Sequence, residues 1–306
     1  MTMRIFVITL GEHEQKFNVM IDTGFGDVLI PSINCTSEGC ENKAKYNPIN
    51  DTSFKTTNKS FGYDYLGGNV FGIRVSVFPK SFEFDEFDGI IGLAPEDDVL
   101  ITPHEDNFVD NLGEDFVPPN QIFSLKIGRH ADQTESELTI GGIDPSKYTG
   151  ELVYTEIAIT VGDYWTIFID DFSINNKSLS FQRRIGRIVS GLSPIIVPFD
   201  DVHKIYQQIP NAIENNNGMF RIPCESELKV KINIGGVDWD IDQRDLISIQ
   251  QLNNLKICHG MIIGGITDNN EWILGTTFLK NVYSVYDSLN HKIGFAKLNV
   301  SNLNLQ

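Results

Sequence analysis

Few residues in this chain are spaced so that they could do chemistry, and most candidates fail on their surroundings. His13-Glu14 begins like the H-E-x-x-H helix that holds zinc, but Phe17 stands where the second histidine must be, so that metal site is rejected. Gly24-Phe25-Gly26 has two glycines of a dinucleotide fingerprint, without the third and without a following helix, and reads as turn geometry. Ser190 and Ser193 lack the G-x-S-x-G context, so a serine nucleophile would need an unrelated histidine and acid to converge on it. Asp22 remains. Its carboxylate sits in the turn Asp22-Thr23-Gly24, where it can take part in proton transfer or simply accept backbone N–H groups.

The elements that must position Asp22 occur twice. In the first half, Val19-Met20-Ile21 runs into Asp22-Thr23-Gly24, continues as Val28-Leu29-Ile30 and stops at Pro31; later comes Phe87-Asp88-Gly89-Ile90-Ile91-Gly92-Leu93. In the second half, Arg187-Ile188-Val189 runs into Ser190-Gly191, continues as Ile195-Ile196-Val197 and stops at Pro198; Trp272-Ile273-Leu274-Gly275 follows. A strand ending in a tight turn is gripped by a second buried strand, whose glycine allows close backbone approach. Two such copies facing each other would make a cleft. Elsewhere, short runs rich in Val, Ile, Phe and Thr alternate with Gly, Asn and Asp, which predicts a mostly β chain. Helical stretches are expected to be few and short, the best of them around Asp200 to Gln208 and Phe108 to Leu112.

The length, 306 residues, suits two lobes of roughly 150 residues, each with its own core. The formal charge of -17, from 41 acidic and 24 basic side chains, and the lack of a basic block argue against a nucleic-acid partner. No apolar run approaches the roughly 20 residues of a membrane span. The four cysteines pair most simply as Cys35 with Cys40, close in sequence, and Cys224 with Cys258 across a longer loop, although three connectivities exist. No spacing fits a zinc site, so disulfides and an oxidising compartment are expected. Sequons at Asn34, Asn50, Asn58, Asn176 and Asn299 point the same way. Against this, Ile5 to Leu10 is too short for the apolar core of a signal peptide and leads into the first strand. No export signal is read, leaving a processed or incomplete chain, or a cytosolic one with reduced cysteines.

Taken in order, these segments resemble the pepsin-like aspartic peptidases. The resemblance runs over nearly the whole chain: Asp22-Thr23-Gly24, Cys35-x4-Cys40, Phe87 to Leu93, Gly141-Gly142-Ile143-Asp144 with Tyr148-Thr149-Gly150, Tyr164-Trp165, and Trp272 to Gly275 through Gly294-Phe295. It implies an all-β, bilobal fold of two β-barrel-like lobes, 1–154 and 155–306, with a cleft between them. It also implies an acid-chemistry turn in each lobe, a peptide or protein partner in the cleft, no metal or other cofactor, a monomer, and a lysosomal, secretory or extracellular setting. The proposed cysteine pairs sit where family disulfides sit; a third common in the family is missing. Cleft residues carried over are Thr23, Gly24, Phe25, Phe61, Gly62, Tyr63 and Gly191, with Thr23 and Ser190 expected to hydrogen-bond structurally.

Family chemistry uses two aspartates sharing one proton, because one group takes a proton from water while the other supplies one to the peptide carbonyl. Here the second carboxylate is missing. Asp22 lies nine residues before Pro31, and Val189 lies nine before Pro198; a register shifted by one puts Ser190 in that place instead. Neither recovers an acid, and Asp200 and Asp201 lie too far along the chain. Phe25 replaces a serine that hydrogen-bonds the aspartate in the family, Leu29 replaces a tryptophan, and the flap best matches Phe61-Gly62, near Tyr63 and Tyr65. The expectation is a catalytically defective homologue that binds peptide or protein. The alternative is an endopeptidase with activity much reduced and dependent on Asp22 alone.

Overall fold

The computed structural model describes residues 5–49, 51–52, 54, 61–65, 68–72, 86–95, 122–158, 164–181, 183–216, 218–252, 255–265, 267 and 270–299. The stretch 108–112, expected to be helical, lies outside these residues, as do Asn50 and Asn58. The chain is mostly β and divides into two compact units, one within 3–111 and one within 112–306.

In the first unit, β1 (Ile5–Leu10) and β2 (Gln15–Asp22) form an antiparallel hairpin that pairs Leu10 with Gln15 and Phe6 with Val19. Along β2 the side chains first alternate, Phe17 in and Lys16 and Asn18 out, and then from Val19 to Asp22 all are buried. Continuous burial is what a strand covered on both faces requires. β3 (Val28–Leu29), the hairpin β4 (Phe61–Tyr65) with β5 (Gly68–Gly72), and the wholly buried β6 (Gly89–Gly92) complete the unit. The main sheet has the order β1-β2-β6-β3, so β6 lies between the two strands that flank the Asp22 turn.

The second unit opens with β7 (Ile122–Lys126), β8 (Glu137–Ile140) and β9 (Tyr148–Glu156). β10 (Thr166–Ile169), β11 (Asp171–Ile174), β12 (Lys177–Ser178), β13 (Arg184–Ile188) and β14 (Ile195–Val197) come next. The helix expected over 200–208 spans Phe199–Tyr206. After it come β15 (Ile213–Asn216), β16 (Met219–Arg221), β17 (Val230–Ile234), β18 (Val237–Ile241), β19 (Ile247–Leu252), β20 (Leu255–Gly260), β21 (Ile262–Gly264) and β22 (Glu271–Leu274). The chain returns through β23 (Val282–Asp287) and β24 (Lys292–Leu298) to the sheet of its opening strands, ordered β8-β7-β23-β24-β9.

Several aromatic clusters pack this unit, two of them around Trp165 and Trp272. Phe123 stacks on Tyr286 at 4.5 Å, with Trp165 edge-on to both, and Phe172, Phe181 and Trp272 meet edge to face. Such pairs contribute about 0.5–1.5 kcal/mol each beyond the area they bury. Disulfides join Cys35 to Cys40 and Cys224 to Cys258, the pairing expected from sequence, and no cysteine is free.

Candidate active site

Asp22 is the last residue of β2, where the strand runs parallel to β6 with Ile21 opposite Ile91 and Asp22 opposite Gly92. The chain then turns and comes back as β3 on the other side of β6, antiparallel, with Val28 opposite Ile91. Three β6-side amides hold the turn: Gly92 N–H donates to Asp27 O (2.9 Å), Leu93 N–H to Asp22 O (2.8 Å) and Ala94 N–H to Phe25 O (2.9 Å). A Cβ at Gly92 would sit 2.2 Å from Phe25 O and 2.6 Å from Asp27 O, so only glycine admits this grip. Asp22 is 4% exposed, and its Oδ1 accepts the Gly24 N–H at 2.8 Å.

The second turn is built on the same plan. β13 runs parallel to β22 with Ile188 opposite Leu274, and β14 returns antiparallel with Ile195 opposite Leu274. Thr276 N–H donates to Leu192 O (2.7 Å), Thr277 N–H to Ser193 O (2.9 Å) and Val189 N–H to Leu274 O (3.1 Å). A Cβ at Gly275 would meet Pro194 O at 2.3 Å and Leu192 O at 2.6 Å. Ile21 and Val28 bracket Ile91 as Ile188 and Ile195 bracket Leu274. One residue past Ile21 and Ile188 stand Asp22 and Val189. Val189 is 6% exposed, Ser190 and Gly191 are also buried, and no carboxylate occupies this turn.

The remaining candidates fall as follows. Thr23 and Leu29 are fully buried, and Phe25 is 4% exposed, so its ring belongs to the packing around the turn. Phe61, Gly62 and Tyr63 lie on the β4–β5 hairpin opposite Gly72, Phe71 and Val70; their side chains fall outside the described residues. Asp200 is exposed. Asp201 is only 4% exposed, and its carboxylate accepts from Arg184 Nε (2.8 Å), a second Arg184 nitrogen (2.9 Å) and Trp272 Nε1 (2.7 Å). It thereby ties the Phe199–Tyr206 helix to β13 and β22, the strands that carry the second turn.

That bracing role was not legible in the sequence, where Asp201, Arg184 and Trp272 are scattered. Asp88 was also missed. It is buried and accepts Asn18 N–H at 2.7 Å and Ala44 N–H at 2.8 Å, holding β2 against the approach to β6. Its place in the Phe87-Asp88-Gly89 run was the available signal. Among the described residues no group of three or more His, Cys, Asp or Glu side chains could hold a metal ion, and no helix is long and apolar enough to cross a membrane.

The family model for eukaryotic aspartyl proteases matches residues 5–77 and 74–298. A probable aspartic-type endopeptidase CTSD of Arthroderma benhamiae is 30% identical over 309 residues, covering 94% of this chain and 60% of the fungal protein. Chymosin of Camelus dromedarius is 31% identical over 317 residues, 95% of this chain and 79% of its own length. A pregnancy-associated glycoprotein of Equus caballus is 31% identical over 319 residues, 95% and 80% respectively. The chain thus spans well under two thirds of the fungal relative and about four fifths of the mammalian ones. Two glycine-gripped turns on one plan, a mostly β chain and matches along nearly its whole length place this protein in the eukaryotic aspartyl protease family, among the pepsin-like members.

Proposed function

We propose that this chain is a pepsin-like homologue that has lost one of its two catalytic carboxylates and binds peptide or protein rather than cleaving it. The observation that carries this is the matched pairing of the two turns, which favours Val189 over Ser190 as the counterpart of Asp22. An aliphatic side chain neither gives nor takes a proton. With a single acid, activation of water and protonation of the carbonyl oxygen cannot proceed together, and each missing acid–base group lowers the rate by about 10²–10⁴-fold. In this reading the halves 1–154 and 155–306 each contribute one turn; Gly24, Phe61, Gly62 and Tyr63 belong to the binding surface, and the buried Thr23, Phe25 and Gly191 support it from within the turns. The protein works as a monomer in a secretory, lysosomal or extracellular setting, where its two disulfides persist.

A weak endopeptidase is the second reading, supported by the intact first turn with its buried Asp22 held by Gly24 N–H. Hydrolysis of a denatured protein across the acidic range, with and without a pepstatin-type inhibitor, separates the two when the chain is compared with Asp22→Ala. The binding reading expects no cleavage in either folded protein. Cleavage that disappears in Asp22→Ala would overturn it.

A further inference from the structure

We propose that Asn176 is a site of N-linked glycosylation. Asn176-Lys177-Ser178 has the N-x-S pattern of an acceptor for oligosaccharide transfer. The structure places it at the tip of the β11–β12 hairpin, where Ile174 pairs with Lys177 across a two-residue turn. Asn175 and Asn176 have φ of 51° and 64°, both left-handed, as a tight turn of the I′ kind demands and as asparagine tolerates. Asn175 Oδ1 accepts the Lys229 N–H at 3.0 Å and so anchors the turn. The Asn176 amide is exposed and makes no hydrogen bond among the described residues, so adding a sugar there displaces nothing.

The other described sequons differ: Asn34 is exposed too but is followed by Cys35, which is buried in its disulfide, and Asn299 Nδ2 donates to Ser146 O at 3.1 Å. Asn176 lines a recess of about 290 Å³ together with Asp171, Ser173, Ser178, Lys231, Asn233 and Asp238. Carboxylate, hydroxyl, amide and ammonium groups are the partners that sugar hydroxyls use, so the recess suits the innermost sugars of the chain.

The co-substrate is an oligosaccharide on a lipid diphosphate carrier. Asn176 Nδ2 forms the bond to the anomeric carbon as the carbon–oxygen bond to the diphosphate breaks. The amide gives up one proton, and the lipid diphosphate leaves with the electron pair.

The proposal rests on the secretory part of the reading above. The test therefore directs the full chain into the secretory pathway of a eukaryotic host with a borrowed leader and examines both the secreted and the lumenal pools. Peptide mapping follows enzymatic removal of N-glycans in isotopically heavy water, which converts a glycosylated asparagine to labelled aspartate. Labelled aspartate at position 176 is expected, with complete loss in Asn176→Gln and in Ser178→Ala and retention in Ser178→Thr. An unlabelled Asn176 in folded, lumen-exposed protein overturns the proposal, whatever the other sequons carry. Because the leader enforces the route, that result leaves the peptidase-homologue reading untouched.

Discussion

The two turns share a backbone but are braced differently. The Asp22 turn is held by carboxylates on backbone amides: Asp22 on Gly24 N–H, and Asp88 on Asn18 and Ala44 N–H. The Val189 turn has no carboxylate of its own and depends on a side-chain network behind it, Asp201 with Arg184 and Trp272. Both are gripped by a glycine that no other residue could replace without meeting a carbonyl oxygen. The grip therefore does not require the acid. In the proposed reading, a side chain that carries chemistry is exchanged for valine while the turn keeps its place, because strand pairing and amide-to-carbonyl bonds position it.

Val189→Asp tests this contrast most severely. If the second turn is an intact scaffold lacking only its acid, acid peptidase activity rises by about 10²–10⁴-fold, read as cleavage of a denatured protein. A folded but inert variant would mean that the turns have diverged beyond the one side chain, with Phe25 the first suspect.

The bracing predicts the next largest effect. Asp201→Asn leaves Arg184 without its counter-charge at a largely buried site and is expected to destabilise by about 3 kcal/mol. Asp88→Asn instead turns an amide toward one of two backbone N–H groups, a loss of about 1–3 kcal/mol. Chemical denaturation of both variants checks the order, and only the Asp201 change should weaken the salt dependence of stability. The reverse order would erase the distinction between amide-braced and ion-braced turns.

The smallest effect belongs to His203 and Glu214, beyond the second turn, whose Nε2 and Oε2 atoms lie 3.0 Å apart. The hydrogen bond that His203 Nε2–H donates to Glu214, aided by the Phe199 carbonyl, raises the His203 pKa above its ordinary 6.5. That contribution is fully present below 6.5 and is lost as pH climbs through the raised value. The His203 contact, aided by Gly218 N–H, lowers Glu214 below 4.5, a contribution present above 4.5 and lost as pH falls through the lowered value. The pair thus stabilises mildly acidic conditions. Both side chains are well exposed, so the difference in Tm between the native chain and His203→Gln should be slight, largest in that window and absent at alkaline pH.

Much of this was readable in one dimension. The repeated passage from apolar strand to turn to apolar strand, stopped by Pro31 and Pro198, located both turns, and Gly92 and Gly275 marked the strands that grip them. The cysteine spacing suggested the observed pairing, and the resemblance supported it, with three connectivities open. Phe25 was expected in the cleft from the family resemblance, and its ring is buried; whether a turn side chain faces inward depends on what packs over it.

The sequence by itself determined the fold class and the family, and it carries the proposal that the second acid is lost, since each depends on local pattern and on which residue types are present. In the proposed reading, it is the tertiary structure that favours Val189 over Ser190. Spacing to a proline tolerates a shift of one, whereas parallel and antiparallel ladders on one central strand leave a single register, because a one-residue slip turns every side chain to the opposite face. The joining of Asp201 to Arg184 and Trp272 was likewise decided in three dimensions. Such contacts arise from the way strands stack, and no periodicity along the chain records them.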